Sequence, residues 1–318
     1  MNNVYLPAIP PQMINNTPVL LITYRRSKNI SKQIDKLIST GFKDIYIYSN
    51  CWRDLQKDKA AVENTREIIL SYYKEYKKKI NINFSKSHLT VDKSITSAIN
   101  WFFSNVNYGI ILEDDIQIEP LGLRFLSLGL EYYKSYTNIA SITAFTEYLY
   151  ENNIDNLLPR FSYMFHSWGW ATWKKIWEKF DHLDAKNYIV DNNHKIFENK
   201  SLSRRFQRIL NLCNKKEIVT WDYQFQNFCF RNNFLNVMPQ FPLIINTGLG
   251  DELSENCKEF LPINGSISQA KLLELFSNIK IEISKPIELD LNKEYSIFLK
   301  KYPSFKDKLI RKTKNIFA

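Results

Sequence analysis

Tyr108-Gly109-Ile110-Ile111-Leu112-Glu113-Asp114-Asp115 is an apolar run that ends abruptly in three carboxylates. Residues 109–112 carry no polar side chain, as a strand buried on both faces requires, so the acidic triplet ends a buried strand and does not decorate a surface helix. Successive side chains of a strand point to opposite sides, which lets neighbouring carboxylates serve different parts of one ligand. Taken alone, acids at a strand end also suit a helix cap or a solvated edge.

Upstream of this run, β-rich stretches alternate with amphipathic ones. Val19–Tyr24 reads as a first strand, and Asn29–Ser39, with Ile30, Ile34, Leu37 and Ile38 at helical spacing, as a helix closed by Gly41. Asp44–Ser49 reads as a second strand, Val62–Lys78 as an amphipathic helix, Ile80–Phe84 as a third strand, and Asp92–Phe103 as a helix leading into Tyr108–Leu112. Such alternation implies an α/β fold: a parallel, doubly wound sheet with right-handed crossovers. Ligands of these sheets bind beyond the carboxyl ends of the strands, where the triplet lies.

After Pro120 the regular alternation stops. A helix is expected at Leu121–Tyr133 and a strand at Ile139–Thr143, then a loop-rich stretch to Pro159 and a dense aromatic block from Phe161 to Phe180. Helical segments follow at Asp191–Asn199, Leu202–Leu212 and Tyr223–Phe230, with extended ones at Phe234–Met238 and Leu243–Asn246. No Pro/Gly/Ser-rich linker separates this half from the first.

The 318 residues, 44% hydrophobic and 14% aromatic, supply a core for one large domain. Eight Gly against 18 Tyr and 21 Phe exclude collagen-like and low-complexity chains. Cys51, Cys213, Cys229 and Cys257 are scattered without a C-x-x-C spacing, so neither a zinc site nor a disulfide framework is expected and a reducing cytoplasm fits. Met1–Met13 lacks the basic and apolar regions of a signal peptide, and no stretch approaches the ~18 apolar residues of a membrane span.

The net charge of +10 is concentrated at one end: Lys300–Ala318 holds seven Lys or Arg against one acid, Asp307. A nucleic-acid binder spreads basic residues over its fold, so no nucleic-acid partner is expected. With Phe305, Leu309, Ile310, Ile316 and Phe317, the segment reads either as a peripheral contact with anionic membrane or as a terminal helix packed on the domain.

Transfer from a nucleoside diphosphate builds charge on the departing diphosphate, and a divalent cation held by carboxylates stabilises it as a Lewis acid. Mg²⁺ and Mn²⁺ prefer oxygen and often take one or two carboxylates, the rest being phosphate and water. Two further stretches could work with such a site. In Phe165-His166-Ser167-Trp168-Gly169-Trp170-Ala171-Thr172-Trp173, with Trp177 beyond, residues 166–169 precede a helix and let a loop approach a ligand closely, while Trp173 and Trp177 read as core. His166 reads equally as a hydrogen-bonded core residue. In Trp221-Asp222 the carboxylate reads both as the cap of helix Tyr223–Phe230 and as a base, made more basic by the apolar indole beside it.

Together these blocks resemble the GT-A glycosyltransferases, within them the N-acetylglucosaminyltransferase I group and its bacterial sugar-transferase relatives. The strand ending in Glu113-Asp114-Asp115, the F-x-x-x-G-W pattern of Phe165, Gly169 and Trp170, and the pair Trp221-Asp222 occur in the family's order between about Val19 and Gly250. The resemblance implies a Rossmann-like, mostly parallel sheet with helices on both faces. It divides the chain into a nucleotide-sugar-binding half (17–145), an acceptor-side half of the same domain (146–262) and a C-terminal helical basic tail (263–318). The implied activity is inverting, Mn²⁺- or Mg²⁺-dependent transfer from a UDP-sugar to a glycan or glycolipid acceptor in surface polysaccharide or lipid-linked oligosaccharide synthesis.

By the same resemblance Asp115 is the metal ligand, Asp114 lies near the ribose and a metal-bound water, Glu113 contacts the donor sugar, and Asp222 is the base. Trp168, Gly169 and Trp221 border the donor, and Thr23-Tyr24-Arg25 holds the nucleoside. Asn50 stands where the family places an aspartate against uracil; an amide also pairs with a pyrimidine edge. Asn246-Thr247-Gly248-Leu249-Gly250-Asp251-Glu252 resembles the loop that closes over the donor, a plain turn being the other reading. It continues to Ser254-Glu255 where relatives have Thr-His. Two rival functions use similar residues: a metal-dependent nucleotidyl or phosphoryl transferase, which no P-loop supports here, and a non-catalytic carbohydrate-binding protein.

Overall fold

The computed structural model describes residues 16–146, 156–180, 194–248, 280–284 and 286–301. Its first part is a run of βα units: β1 (Val19–Thr23), α1 (Ser27–Ser39), β2 (Ile45–Ser49), α2 (Gln56–Glu75), β3 (Ile80–Phe84), α3 (Val91–Asn105) and β4 (Tyr108–Glu113). Every residue of β1 and β2 is buried, which explains their unbroken apolar character. Helix α1 turns Ile30, Ile34 and Leu37 inward, as its spacing predicted. Helix α2 starts at Gln56, six residues before the expected Val62, because its first turn buries Asp58 among cations and shows no apolar stripe.

The second part contains β5 (Ile116–Ile118), α4 (Pro120–Tyr133), β6 (Ile139–Thr143), β7 (Asn156–Leu157), β8 (Pro159–Ser162) and β9 (Trp170–Trp173). It continues through α5 (Lys174–Trp177), α6 (Lys200–Asn214), α7 (Asp222–Arg231), β10 (Leu235–Pro239), β11 (Ile244–Asn246), β12 (Lys280–Ile281) and α8 (Leu291–Lys301). The tryptophans from Trp170 onward therefore open a strand, not a helix. Trp170-Ala171-Thr172-Trp173 is wholly buried between two strands, where β-branched and aromatic side chains pack well, and only Lys174–Trp177 turns helical. Within the expected helix Asp191–Asn199, residues Lys195–Phe197 form a 3₁₀ turn, while 191–193 lie outside the described residues.

Eight strands form one sheet in the order β3-β2-β1-β4-β9-β6-β10-β8. Six of them, β3, β2, β1, β4 and then β6 beside β10, keep parallel pairings, whereas β9 runs antiparallel to both β4 and β6, and β8 runs antiparallel to β10. Right-handed crossovers place α1 and α2 on one face and α3 and α4 on the other, because the chain steps outward from β1 to β3 and then returns past β1 to β4. This is the mostly parallel α/β sheet, flanked by helices, that the sequence predicted. The reversal puts a topological switch point between β1 and β4, where such sheets bind ligands.

A second apolar cluster, with Phe197, Phe206, Phe230 and Phe298 among its buried members, joins α6, α7 and α8. Helix α8 is fastened to β8 by polar contacts as well. Arg160 and Glu294, 3% and 1% exposed, pair at 2.9 Å, and Glu294 also accepts from Ser162 Oγ at 2.8 Å and the Tyr163 N–H at 2.9 Å. Lys280–Ile281 and Leu291–Lys301 are thus joined to the domain, through β12 on β7 and through α8. Tyr302–Ala318, most of the basic segment, lies outside the described residues. Among the described residues no helix is long and apolar enough to cross a membrane.

Candidate active site

The carboxyl ends of β1, β2 and β4 open into a cavity of about 420 Å³. Pairing of β1 with β4 sets Ile22 opposite Glu113, so the turn after β1 lies beside Asp114 and Asp115. Thr23, Tyr24, Asn50, Glu113, Asp114, Asp115, Trp168, Trp221 and Asp222, all singled out from the sequence, line this one cavity. Residues more than a hundred positions apart meet because β9 is antiparallel. The residues just before it, Ser167 and Trp168, arrive at the same edge as the trailing ends of the parallel strands.

The triplet divides its tasks. Asp114 is buried and accepts the Tyr24 N–H at 2.9 Å and Arg26 Nη1 at 2.8 Å, so it ties β4 to the β1 turn. Asp115 Oδ2 lies 3.2 Å from the same Arg26 nitrogen, and its carbonyl accepts the Thr247 N–H at 2.8 Å. Thr247, in the segment Asn246–Glu252, therefore lies on Asp115. Gly248 is close enough that a Cβ there would fall 2.4 Å from Asp115 Oδ2. Leu249 to Glu252, and Ser254-Glu255, are outside the described residues.

Burial raises the pKa of Glu113 well above the ordinary carboxylate range, and the charges of Asp115, Asp114 and Asp222 add to the rise against a pull from Arg26. These carboxylates thus share one strongly negative field. No group of three or more His, Cys, Asp or Glu residues among those described forms a ready cage for a metal. Asp115 is instead the residue that could hold a hard divalent cation, since Mg²⁺ and Mn²⁺ can take as few as one carboxylate among their oxygen ligands.

Asp222 is the first residue of α7, while the cap position belongs to Trp221. The expected capping role is therefore corrected by one position, because α7 begins a residue early. Asp222 Oδ1 accepts from Thr220 Oγ1 and from the Tyr223 N–H at 2.9 Å, which sets its rotamer at the cavity wall. Trp221 is buried and stacks on Trp170 with centroids 5.4 Å apart.

Gly169, His166 and Arg25 are not among the residues lining the cavity, and Asn50, which does line it, spends its amide on the fold. Gly169 adopts φ +65°, a conformation that favours glycine, and its missing Cβ makes room for Ile244 at 3.1 Å. His166 is buried edge-on to Phe145. Arg25 pairs with Asp58 at 2.6 Å. Asn50 gives its amide N–H to the Leu89 carbonyl at 2.8 Å and accepts the Leu89 N–H at 3.1 Å, so its amide fastens the β3–α3 loop to β2.

Arg26, Arg53, Asp58 and His88 belong to the site or its support and were not selected from the sequence. Arg26 could have been suspected from the paired arginines after β1. Asp58 sits in the charged run Asp54–Lys59, which reads as a solvated helix face.

No family model matches the chain, and no curated protein matches it. Among solved structures it is similar to HddC from Yersinia pseudotuberculosis, at 13% identity over 52% of this chain and 80% of that one, with a TM-score of 0.31. It is also similar to the 4-diphosphocytidyl-2C-methyl-D-erythritol synthase of Anaerococcus prevotii, at 11% identity over 74% of this chain and 93% of that one, TM-score 0.36. A UDP-glucose pyrophosphorylase complexed with UDP-glucose matches at 11% identity over 73% of this chain and 93% of that one, TM-score 0.35.

Proposed function

We propose that this chain transfers a sugar from a nucleotide-sugar, by preference a UDP-sugar, to a hydroxyl of a glycan or glycolipid acceptor, with inversion. The observation that carries this reading is the cavity at the switch point of the sheet, where Asp114 and Asp115 converge on Arg26 and Asp222 shares the same wall. Asp115 would hold a Mn²⁺ or Mg²⁺ ion, which when bound supplies Lewis-acid stabilisation to the departing diphosphate. Arg26 would add a guanidinium beside the phosphates, a geometry that suits bidentate anion contacts. Asp222 takes the proton from the acceptor hydroxyl as the anomeric carbon is attacked. Trp168, at the cavity rim, offers a ring face to a sugar. Surface-glycan assembly and contact of Lys300–Ala318 with anionic lipid belong to the same proposal.

A thermal-shift panel of UDP-, GDP-, CMP- and dTDP-sugars with and without Mn²⁺ tests it, since a ligand of the folded state alone raises the melting temperature. A Mn²⁺-dependent rise, largest with UDP-sugars, is the expected result. No metal-dependent rise with any nucleotide would remove the reading. If only nucleoside triphosphates with sugar phosphates turn over, the reaction is nucleotidyl transfer instead. Gly248→Ala places a methyl against Asp115 and is expected to weaken Mn²⁺–UDP binding by about 10-fold, measured by titration calorimetry.

A further inference from the structure

We propose that Asp58 is a positioning residue for the nucleotide and metal site, holding the Tyr24–Arg26 turn so that this turn can hold Asp114. The inference rests on the nucleotide-sugar reading of the cavity. Three consecutive residues after β1 divide their polar groups between two carboxylates. Tyr24 Oη donates to Asp58 Oδ2 at 2.8 Å and Arg25 Nη1 to Asp58 Oδ1 at 2.6 Å, while the Tyr24 N–H and the Arg26 guanidinium go to Asp114. Arg53, from the β2–α2 loop, brings Nε to Asp58 Oδ2 at 2.6 Å and also lines the cavity. One carboxylate thus gathers the β1 turn, the β2–α2 loop and the start of α2.

Asp58 is 4% exposed, and a charge so buried is costly unless it is paired. A carboxylate serving only the helix dipole gains from the first turn whether or not it is buried, and needs no partners outside its helix. Asp58 instead reaches three side chains of other segments. Two guanidiniums on one carboxylate also leave the cluster with a net positive charge, and one of them, Arg53, lines the cavity. The burial of Tyr24 and the neighbouring Asp58 charge push its phenol up to about 12, so Tyr24 remains a donor to Asp58 at neutral pH.

Titration calorimetry of the full chain with UDP in the presence of Mn²⁺ tests the proposal, with each variant's thermal unfolding recorded without ligand. Asp58→Ala is expected to weaken binding about 10- to 100-fold, and Asp58→Asn to recover part of the loss because its amide oxygen still accepts. In turnover the loss should fall on KM more than on kcat, since the triplet is displaced and not removed. An Asp58→Ala protein that unfolds cooperatively and binds as the wild type does would overturn the proposal. Should Asp58→Ala not fold, Tyr24→Phe removes one hydrogen bond and is expected to cost about 3- to 10-fold in affinity; unchanged binding there overturns it equally. A wild-type chain that binds no Mn²⁺–UDP refutes the nucleotide-sugar reading itself, whereas normal wild-type binding with indifferent variants refutes only the role of Asp58.

Discussion

Replacing Asp222 with Asn is expected to lower kcat for sugar transfer by about 10²- to 10⁴-fold, with affinity for the nucleotide-sugar changed by less than about threefold. The substitution is a narrow one. Asp222 Oδ1 accepts from Thr220 and from the Tyr223 N–H, and the amide oxygen of Asn can accept both, so the rotamer is preserved while the proton acceptor is lost. Steady-state kinetics on the donor found by the thermal-shift panel, with calorimetry of the same donor, separates the two effects. Unchanged kcat would show that Asp222 is not the base, whereas donor binding without any turnover by the wild type would favour a binding protein that retains the fold.

Glu294→Gln is expected to cost about 3–5 kcal/mol of folding stability, read from the urea midpoint at constant slope. Burial pushes the Glu294 carboxyl up, yet its two oxygens accept from Arg160, Ser162 and the Tyr163 N–H, and these donors favour the ionised form. Neutralising it leaves the Arg160 guanidinium charged in a place where water does not reach. An apolar pair at both positions should recover most of the loss, because a buried ion pair contributes little net stability compared with well-packed hydrocarbon. A midpoint for Glu294→Gln equal to that of the wild type would show that the pair does not hold α8 in place.

The half of the fold up to Glu113 was legible because each of its elements announces a buried face. The runs 19–23, 45–49 and 80–84 are strands within a residue of the expected bounds, and the Ile30, Ile34 and Leu37 stripe is a helix. Legibility failed where burial is ionic or where periods are ambiguous. The first turn of α2 is covered by cations on Asp58, so no apolar spacing marks it. Four residues such as Trp170–Trp173 are too few to separate a period of two from one of 3.6, and their neighbours β4 and β6 decide the matter from far along the chain.

The site followed the same division. Its acids and the Trp221-Asp222 pair were visible because their chemistry is particular. Arg26 was not, since two adjacent arginines give no sign of which one turns toward Asp114 and which toward Asp58. The link between Arg160 and Glu294 spans 134 positions and carries no local pattern at all.

Strand β9 also bears on how the cavity can move. In the sheet, among the described residues, β4 and β6 are joined through its four buried residues, with β4, β1, β2 and β3 on one flank and β6, β10 and β8 on the other. A hinge between the two flanks would have to part β9 from a neighbour and bring Trp170, 1% exposed, toward water. Parting the sheet there would break the β9 ladders and expose that indole, so the sheet beneath the cavity is expected to stay whole when a ligand binds.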